Sequence, residues 1–403
     1  MSDWIGMDLG LYVKLSAMMF LEFAIWGAWY PVLATRLLGP LGFSGKQTGW
    51  IYATIPLGCI FMPLLAGQVA DQWINTEFIL AGAHLIGTLL LFVAAWKRKF
   101  NVLFVVMLVY ALFYAATLPL VNSLMFHHLA VAGASTKSPI IFMWAPIAWA
   151  LTGYFLTGWR WTFKTGEEGR DCLILAAVLS VIMAVVAGAL LPATPPAGGS
   201  AAGSSIAKAF GMLQNPSFLI FIIISMVAPG MQQFYFLGTA QFMQDNGISA
   251  KNVPAAMAIA QATQAVATLV VLGWIIQHAG YKWTRSIGAA SWLVLFTIYV
   301  IPRPAAVIAG GQAFHGIAYV FFIIAGQMFA GAVAPEGAGA SMQALIFTAQ
   351  SGIALFLGTQ FAGIVMDRFR VEGHFQWRKI WTVPGAIMAA CVLALLLLFK
   401  GTV

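Results

Sequence analysis

Long apolar runs make up most of the chain, and short polar segments rich in charges, proline and glycine separate them. Most runs extend for about 20 residues, the length that an α-helix needs to cross the hydrocarbon core of a bilayer. The runs are continuous and do not alternate between apolar and polar positions, which argues against a membrane β-barrel. The pattern therefore predicts an all-α, polytopic membrane protein.

Dividing the sequence at its charges, prolines and glycines predicts twelve transmembrane helices, at 12–35, 47–68, 77–96, 101–126, 139–160, 172–192, 216–243, 252–277, 284–301, 305–332, 339–366 and 380–399. The stretch PATPPAGGSAAGSS at 192–205 cannot form a spanning helix, because Pro, Gly and Ser dominate it. We therefore expect an N-terminal six-helix bundle at 1–193, a loop at 194–215 and a C-terminal six-helix bundle at 216–403.

A short internal repeat supports this division. GFSGK at 42–46 opens the second predicted helix, and GISAK at 247–251 opens the eighth. About one helix later, each motif is followed by a turn that ends in tryptophan, at Trp73 and Trp283. The two halves are therefore expected to be pseudo-symmetric, related by an axis along the membrane normal.

Composition excludes a water-soluble fold, because 61% of the 403 residues are apolar and only 8% are charged. The mean hydropathy is +0.90. The net charge of +8 does not indicate nucleic-acid binding, since the charges lie singly between apolar runs. Cys59, Cys172 and Cys391 lie inside apolar stretches, so we expect neither disulfides nor a zinc site. The N-terminus lacks the basic segment of a signal peptide, so the first helix is expected to remain.

Glu22 lies near the middle of the first predicted helix and is the acidic residue deepest in any of them. A charged side chain is costly at the bilayer centre, and burial favours the protonated form of a carboxyl group. Glu22 is therefore the candidate proton-coupling residue. The alternative is a structural role, with a neutral carboxyl group hydrogen-bonded to a neighbouring helix.

Uncharged polar and aromatic side chains also occur at mid-span, where they either pair with one another or line a cavity. The seventh and eighth helices carry glutamines at helical spacing, and the tenth carries His315 one turn before Tyr319. Interhelical hydrogen bonds are the alternative reading for each glutamine. We expect a shared chamber in which Trp26 and Trp149 sandwich a flat ring. The candidate substrate-binding residues are Trp26, Asn122, Trp149, Gln232, Tyr235, Gln261, Gln264, His315 and Tyr319.

Signatures of catalysis are missing from the sequence. It contains no HExxH, GxSxG or P-loop motif, and no cluster of His, Cys and carboxylates at metal-ligand spacing. The prediction is a protein that is not an enzyme and that needs no cofactor or metal.

Several segments resemble the nucleoside:proton symporter family of the major facilitator superfamily. They are LSAMMFLEFAIWGAW, FMPLLAGQVADQW, LPLVNSLMF, SPIIFMWAPIAW and QATQ. The resemblance implies two six-helix bundles, cytoplasmic termini, a central cavity and alternating access. It also implies nucleosides as substrates and the proton gradient as driving force. Gln232 and Gln261 match glutamines that contact the nucleoside in the family, and Trp149 and Tyr319 match aromatic positions.

The sequence departs from the family at charged positions. Phe142 stands where the fifth-helix motif has arginine, Gln264 where the eighth has glutamate, and Val320 where the tenth has aspartate. His315 stands where the family has a tyrosine, and Glu22 replaces a first-helix glutamine. Coupling, if present, is therefore expected to use different residues.

We predict a secondary active transporter that moves nucleosides by alternating access and couples their movement to protons. Its partners are a nucleoside-like solute, protons and the lipid bilayer, with no nucleic acid, and it acts as a monomer. The alternatives are a facilitator or permease for another small polar solute such as a sugar, and a membrane receptor that moves nothing. Uptake with proton flux distinguishes the first alternative, and absence of flux despite binding distinguishes the second.

Location and orientation follow from different signals. The resemblance implies a multi-pass protein of the inner, cytoplasmic membrane with its termini inside. Most Lys and Arg residues, however, lie in the loops that this orientation places outside, against the positive-inside rule. The charge distribution alone predicts the opposite orientation.

Overall fold

The computed structural model describes residues 7–134, 137–196, 208–335, 342 and 345–402, apart from the side chains of residues 64, 67, 68, 71, 72, 138 and 139. Part of the predicted loop at 194–215 and the first residues of the predicted helix at 339–366 lie outside the described residues. Nearly all of the described chain is helical, as the continuous apolar runs predict.

The first half of the chain contains nine helices in its described part. They are α1 (Leu9–Trp29), α2 (Leu33–Leu38), α3 (Gly45–Tyr52), α4 (Thr54–Gln72), α5 (Thr76–Trp96), α6 (Phe100–Val131), α7 (Ser138–Phe142), α8 (Trp144–Phe163) and α9 (Asp171–Ala189). The helix α3 begins with a capping box, in which Ser44 and Gln47 each bond the other's backbone N–H group.

The described part of the second half begins with helical residues 208–211, which a short 3₁₀ turn at Met212–Gln214 follows. Its α-helices are α10 (Pro216–Asp245), α11 (Val253–Val266), α12 (Leu272–Val300), α13 (Ala305–Gly310), α14 (Gln312–Ala318), α15 (Ala325–Ala332), α16 (Ala354–Arg368) and α17 (Trp377–Leu397). Three π-helical segments continue the spans, at Ala267–Val271, Tyr319–Ile324 and Thr348–Ile353. A small antiparallel pair of strands, β1 (Arg370–Val371) and β2 (His374–Phe375), forms the turn between α16 and α17.

Ten stretches of the described chain are helical, long and apolar enough to cross a membrane. One of them, Val253–Val300, has 48 residues, roughly twice what a bilayer requires. It breaks at Gly280, where φ is 69° and ψ is 176°, and therefore holds two spans. The helices α3 and α4 together form a further span, which packs on α6. This arrangement agrees with the predicted twelve spans, and the predicted all-α membrane fold is confirmed.

Glycines allow the helices of the two halves to approach closely. The halves meet chiefly where α3 packs on α16 and where α8 packs on α11. A Cβ atom added to Gly49 would lie 2.6 Å from the carbonyl oxygen of Thr359, and one on Gly153 would lie 2.9 Å from that of Pro254. Larger residues at these two positions would therefore force the helices apart.

Hydrogen bonds between the halves lie mainly at one end of the molecule, the far end, which carries the turns at 39–44, 164–170 and 246–252. There the Asp367 carboxylate accepts hydrogen bonds from the backbone N–H groups of Gly45 (2.5 Å) and Lys46 (2.8 Å). The guanidinium of Arg160 is held by Asp171 and also donates to the carbonyl oxygen of residue 250 (3.1 Å). Since an even number of spans places both termini together, the far end lies opposite the termini.

Candidate functional site

A chamber lies between the two halves and draws residues from both. Its enclosed cavity volume is about 110 Å³, and about 730 Å³ when the solvent at its mouth is counted. Its lining is Phe23, Trp26, Tyr30, Ala145, Pro146, Trp149, Pro229, Gln232, Phe236, Gln261, Gln264, His315, Tyr319, Ile323, Gln350, Ser351 and Leu355. Among the described residues the lining contains no Lys, Arg, Asp or Glu, which suits a neutral solute.

Seven of the candidate residues predicted from the sequence line this chamber. They are Trp26, Trp149, Gln232, Gln261, Gln264, His315 and Tyr319. They come from five different spans, so the tertiary fold brings together side chains that are far apart in the sequence.

Small residues place the glutamines of α11 at the chamber. Gln261 and Gln264 lie one helical turn apart on one face, in a helix otherwise rich in alanine. A Cβ atom on Gly316 would lie only 2.1 Å from the carbonyl oxygen of Ala260, so α14 rests directly on the backbone of α11. This contact holds His315, the neighbour of Gly316, beside the glutamines. Tyr319 begins a π-helical segment, a feature often found at functional sites.

The chamber glutamines are buried but free of protein partners. Gln232, Gln261 and Gln264 are 4%, 8% and 9% exposed, and their amide groups make no hydrogen bond to any other described residue. The amide nitrogen of Gln350 is likewise buried without a partner. Because buried polar groups are normally satisfied, several free amides around one cavity are suited to hydrogen-bond a solute.

His315 presents a hydrogen-bond donor of fixed position. The indole N–H of Trp292 donates to Nδ1 of His315 at 3.2 Å. Indole can only donate, so Nδ1 accepts and the neutral imidazole carries its proton on Nε2. Nε2 is buried and has no partner among the described residues. The ring of Tyr235 stacks on the imidazole at 3.8 Å and holds its plane.

The expected tryptophan sandwich is wrong in its geometry. The rings of Trp26 and Trp149 contact each other edge to face, with centroids 5.6 Å apart and planes at 68°. Two rings in such contact leave no parallel slot for a planar ligand. The contact arises because α1 and α8 cross at Gly27, where a Cβ atom would lie 3.0 Å from Cα of Trp149. Both rings still form part of the chamber wall.

Three predicted site residues do not line the chamber. Tyr235 lies behind His315, against which it stacks. Asn122 lies in α6, half-buried, and its side-chain oxygen has no described partner. Glu22 is fully buried within the first half, one helical turn from Trp26.

Glu22 belongs to a polar cluster inside the first half that was not predicted. Its Oε2 atom lies 2.9 Å from Nε2 of His84, and the Thr117 hydroxyl donates to its Oε1 at 2.6 Å. The Nδ1 atom of His84 lies 3.3 Å from the Ser180 hydroxyl. All four side chains are buried. His84 could have been found from the sequence, because it is a lone histidine in the apolar run AGAHLIG.

Sequence reasoning also missed Gln350 in the eleventh span. The rule that selected the other glutamines, a polar side chain at mid-span, would have selected it too. Phe23, Tyr30 and Phe236 carry no comparable signal, because aromatic residues are common throughout this chain.

Known proteins with similar sequences are transporters. The nucleoside permease NupG of Escherichia coli (strain K12) is 25% identical over 409 residues, which cover 97% of this chain and 96% of the permease. The xanthosine permease of the same organism is 25% identical over 394 residues, covering 93% and 92% of the two chains.

Solved structures confirm the major facilitator fold. A crystal structure of a mutant of the nucleoside transporter NupG matches with a TM-score of 0.86 at 25% identity, covering 97% of this chain and 100% of that chain. A D-xylose-proton symporter shares the fold, with a TM-score of 0.74 at 14% identity, covering 98% of this chain and 99% of that chain. The family model described as nucleoside H+ symporter matches residues 9–403. The chain therefore belongs to the nucleoside H+ symporter family, and it is a multi-pass membrane transporter and not an enzyme.

Proposed function

We propose that this protein moves nucleosides across the membrane by alternating access and couples each to a proton. Membership of the family and the relatives named as nucleoside and xanthosine permeases support the substrate class. The observation that carries the proposal is the chamber itself, in which free buried amides lie beside aromatic rings and no described lining residue carries a formal charge. Nucleosides match this lining, because they combine a flat base, several hydroxyls and no net charge.

In this proposal the chamber side chains contact different parts of the solute. Gln232, Gln261 and Gln264 offer both donors and acceptors, which suits sugar hydroxyls and the polar edge of a base. Trp26 and Trp149 supply apolar wall. A site built to hydrogen-bond a group rejects analogues that lack it, because its own polar atoms would then remain unpaired.

Proton coupling is assigned to Glu22, outside the chamber. The described residues of the chamber wall include no carboxylate, and the buried Glu22 directly precedes the wall residue Phe23 and lies one turn from Trp26. A protonated Glu22 is neutral and inexpensive to keep buried, whereas its deprotonated form favours contact with water.

The two predicted bundles, 1–193 and 216–403, are the proposed moving bodies, linked by the loop at 194–215. The far-end contacts close the chamber on one side, and rocking of the bundles would break them and open that side. A monomer is the proposed functional unit. The inner, cytoplasmic membrane is the proposed location.

Uptake into proteoliposomes tests the proposal. We expect saturable uptake of radiolabelled uridine or adenosine, stimulated by an acidic outer buffer and abolished by a protonophore. A hexose at equal concentration should neither enter nor compete. Gln261→Leu, which removes one free amide, should lower apparent affinity. Its control is Gln376→Leu, outside the chamber lining.

Two outcomes would overturn the proposal. Hexose uptake without nucleoside uptake would indicate a permease for another solute, and nucleoside binding without flux would indicate a receptor. Nucleoside uptake that is independent of the pH gradient would support the proposed substrate and contradict the proposed proton coupling.

A further inference from the structure

We propose that Glu22 and His84 form one shared proton site, in which His84 sets the proton affinity of the pair. This inference rests on the proposed function, since the proton concerned is the one coupled to the nucleoside. The pair lies between α1 and α5, with Oε2 of Glu22 and Nε2 of His84 2.9 Å apart. Their exposed fractions are 0% and 2%, so bulk water does not reach them in this conformation.

Hydrogen bonds around His84 determine which of its two ring nitrogens carries the proton of the neutral imidazole. The Ser180 hydroxyl donates its single proton to the backbone carbonyl of His84 at 2.9 Å. Its oxygen can therefore only accept from Nδ1, which lies 3.3 Å away. Nδ1 thus carries a proton, and the Nε2–Oε2 axis is where one further proton is gained or lost.

The charge of the cluster depends on that one proton. With it, the pair is neutral overall, either as glutamic acid with imidazole or as carboxylate with imidazolium. Without it, a carboxylate faces a lone pair and the site carries one negative charge. No Lys or Arg pairs with Glu22 in the described chain. A lone buried charge is strongly unfavourable, so the proton-free form of the pair needs contact with water or a rearrangement of its neighbours.

No other described group close to the pair supplies a charge that would balance that of Glu22. Tyr110 and Tyr114 of α6 are the neighbouring titratable side chains, and phenols ordinarily titrate near pH 10. The Thr117 hydroxyl can change its hydrogen-bond acceptor when the charge on Glu22 changes, because its one proton has two acceptors within reach. These are Oε1 of Glu22 at 2.6 Å and the carbonyl oxygen of Tyr114 at 2.7 Å.

Tyr114 connects the pair to the chamber. Its hydroxyl donates to the backbone carbonyl of Glu22 at 2.7 Å. Its ring contacts His84 and, on another side, Trp26, with centroids 6.2 Å and 6.0 Å away. Trp26 is part of the chamber wall. A solute that moves the indole therefore presses on the same tyrosine that packs against the proton site.

The experiment measures proton-driven uptake and its pH dependence in wild type, Glu22→Gln and His84→Gln. Glu22→Gln removes the carboxyl group and leaves His84 without the negative charge that would balance a second imidazole proton, so it should lose all accumulation driven by the pH gradient while retaining nucleoside counterflow. His84→Gln places an amide donor against the carboxylate and stabilises the proton-free form. Half-maximal uptake should then move by about one pH unit towards acid, which corresponds to one hydrogen bond to a charged group.

The control is His127→Gln, an exposed histidine at the end of α6, which should leave the profile in place. Counterflow and thermal unfolding verify that each variant is folded. Unchanged coupling in Glu22→Gln, or an unchanged pH profile in His84→Gln, would overturn the shared site while leaving nucleoside transport intact. Wild type that moves no nucleoside would overturn both proposals.

Discussion

At the scale of residues, the chamber is specified by uncharged groups with unused hydrogen-bonding capacity. A bound solute displaces water from each free amide or imidazole N–H group on the wall. The group then remains unpaired unless the solute itself forms the hydrogen bond. A partner that fits all of them gains several hydrogen bonds, and an analogue that lacks one acceptor leaves a donor unpaired. Selectivity therefore depends on the positions of single atoms, among them Nε2 of His315, whose ring is held by Trp292 and Tyr235.

His315 provides a test at this scale. In His315→Gln the amide nitrogen can occupy the place of Nε2 and donate in its stead, whereas in His315→Asn the shorter side chain reaches only the place of Nδ1. We expect His315→Asn to weaken nucleoside binding by about 1–3 kcal/mol, the cost of leaving a buried group unsatisfied. His315→Gln should bind more tightly than His315→Asn. Calorimetric titration measures both, and equal losses would contradict a donor role for Nε2.

Sequence reasoning at this scale identified side chains but not their partners. Glu22 and the glutamines were recognisable because polar groups are rare at mid-span. Whether a polar group faces a cavity or a neighbouring helix depends on how the spans are rotated against each other. Glu22 pairs with His84, 62 positions away, and Gln261 faces the chamber, although both occur in similar apolar runs.

At the scale of elements, close helix crossings govern where the two halves meet. The helix α3 contributes Gly45 and Gly49 to its crossing with α16, and Gly363 lies opposite. Added Cβ atoms at all three would come within 3.0 Å of backbone on the other helix. This crossing therefore has no room for a side chain while the far end is closed.

Gly49→Ala tests the crossing. The added methyl group would lie 2.6 Å from the Thr359 carbonyl oxygen, so closure at the far end becomes unfavourable. We expect greater accessibility of far-end positions to a membrane-impermeant thiol reagent and slower transport. The matched control is Gly82→Ala in α5, where a Cβ atom meets nothing within 4 Å. The control should retain activity, since alanine favours a helix by about 1 kcal/mol over glycine. Equal accessibility in the two variants would contradict the role of the crossing.

At the scale of the whole molecule, the far end holds the two halves together through a small number of polar contacts. Asp367 from the second half accepts two hydrogen bonds at the N-terminus of α3 in the first half. A carboxylate in this place caps the helix and complements its dipole. The contact exists only while the far end is closed, so it contributes to the balance between the two access states.

Asp367→Asn removes the charge from this contact and retains the shape of the side chain. Asparagine has one acceptor oxygen and turns an NH2 group towards the other backbone N–H group, so the loss of one hydrogen bond of about 1 kcal/mol should shift the ratio of closed to open far ends by roughly fivefold towards open. Spin labels at Glu167 and Glu372, both exposed and on opposite halves, report this ratio as a distance distribution. The three native cysteines are buried and should not compete for label.

The control for this variant is Asp245→Asn. The Asp245 carboxylate accepts hydrogen bonds from Gln241 and Trp377, all within the second half. It should therefore leave the distances between halves unchanged. An Asp367→Asn distribution identical to that of wild type would show that the cap does not bias closure.

The sequence by itself determined the class of molecule and predicted twelve spans in two halves, a count with which the described helices agree. These features follow from local chemistry, because every apolar run of sufficient length must bury its backbone polar groups in a helix that crosses the bilayer. The departures from the family pattern, such as Glu22 and His315, were equally visible in the sequence.

The tertiary structure alone decided which polar side chains share a chamber and which pair inside a bundle. Helical rotation, glycine crossings and π-helical segments set the direction of each side chain, and none of these leaves a clear signal in composition. Trp26 and Trp149 meet edge to face because α1 and α8 touch at Gly27. Glu22 is buried inside the first half, where it contacts His84 of α5. The physical reason is that hydrophobicity specifies where a helix lies, whereas packing between helices specifies what each face of it contacts.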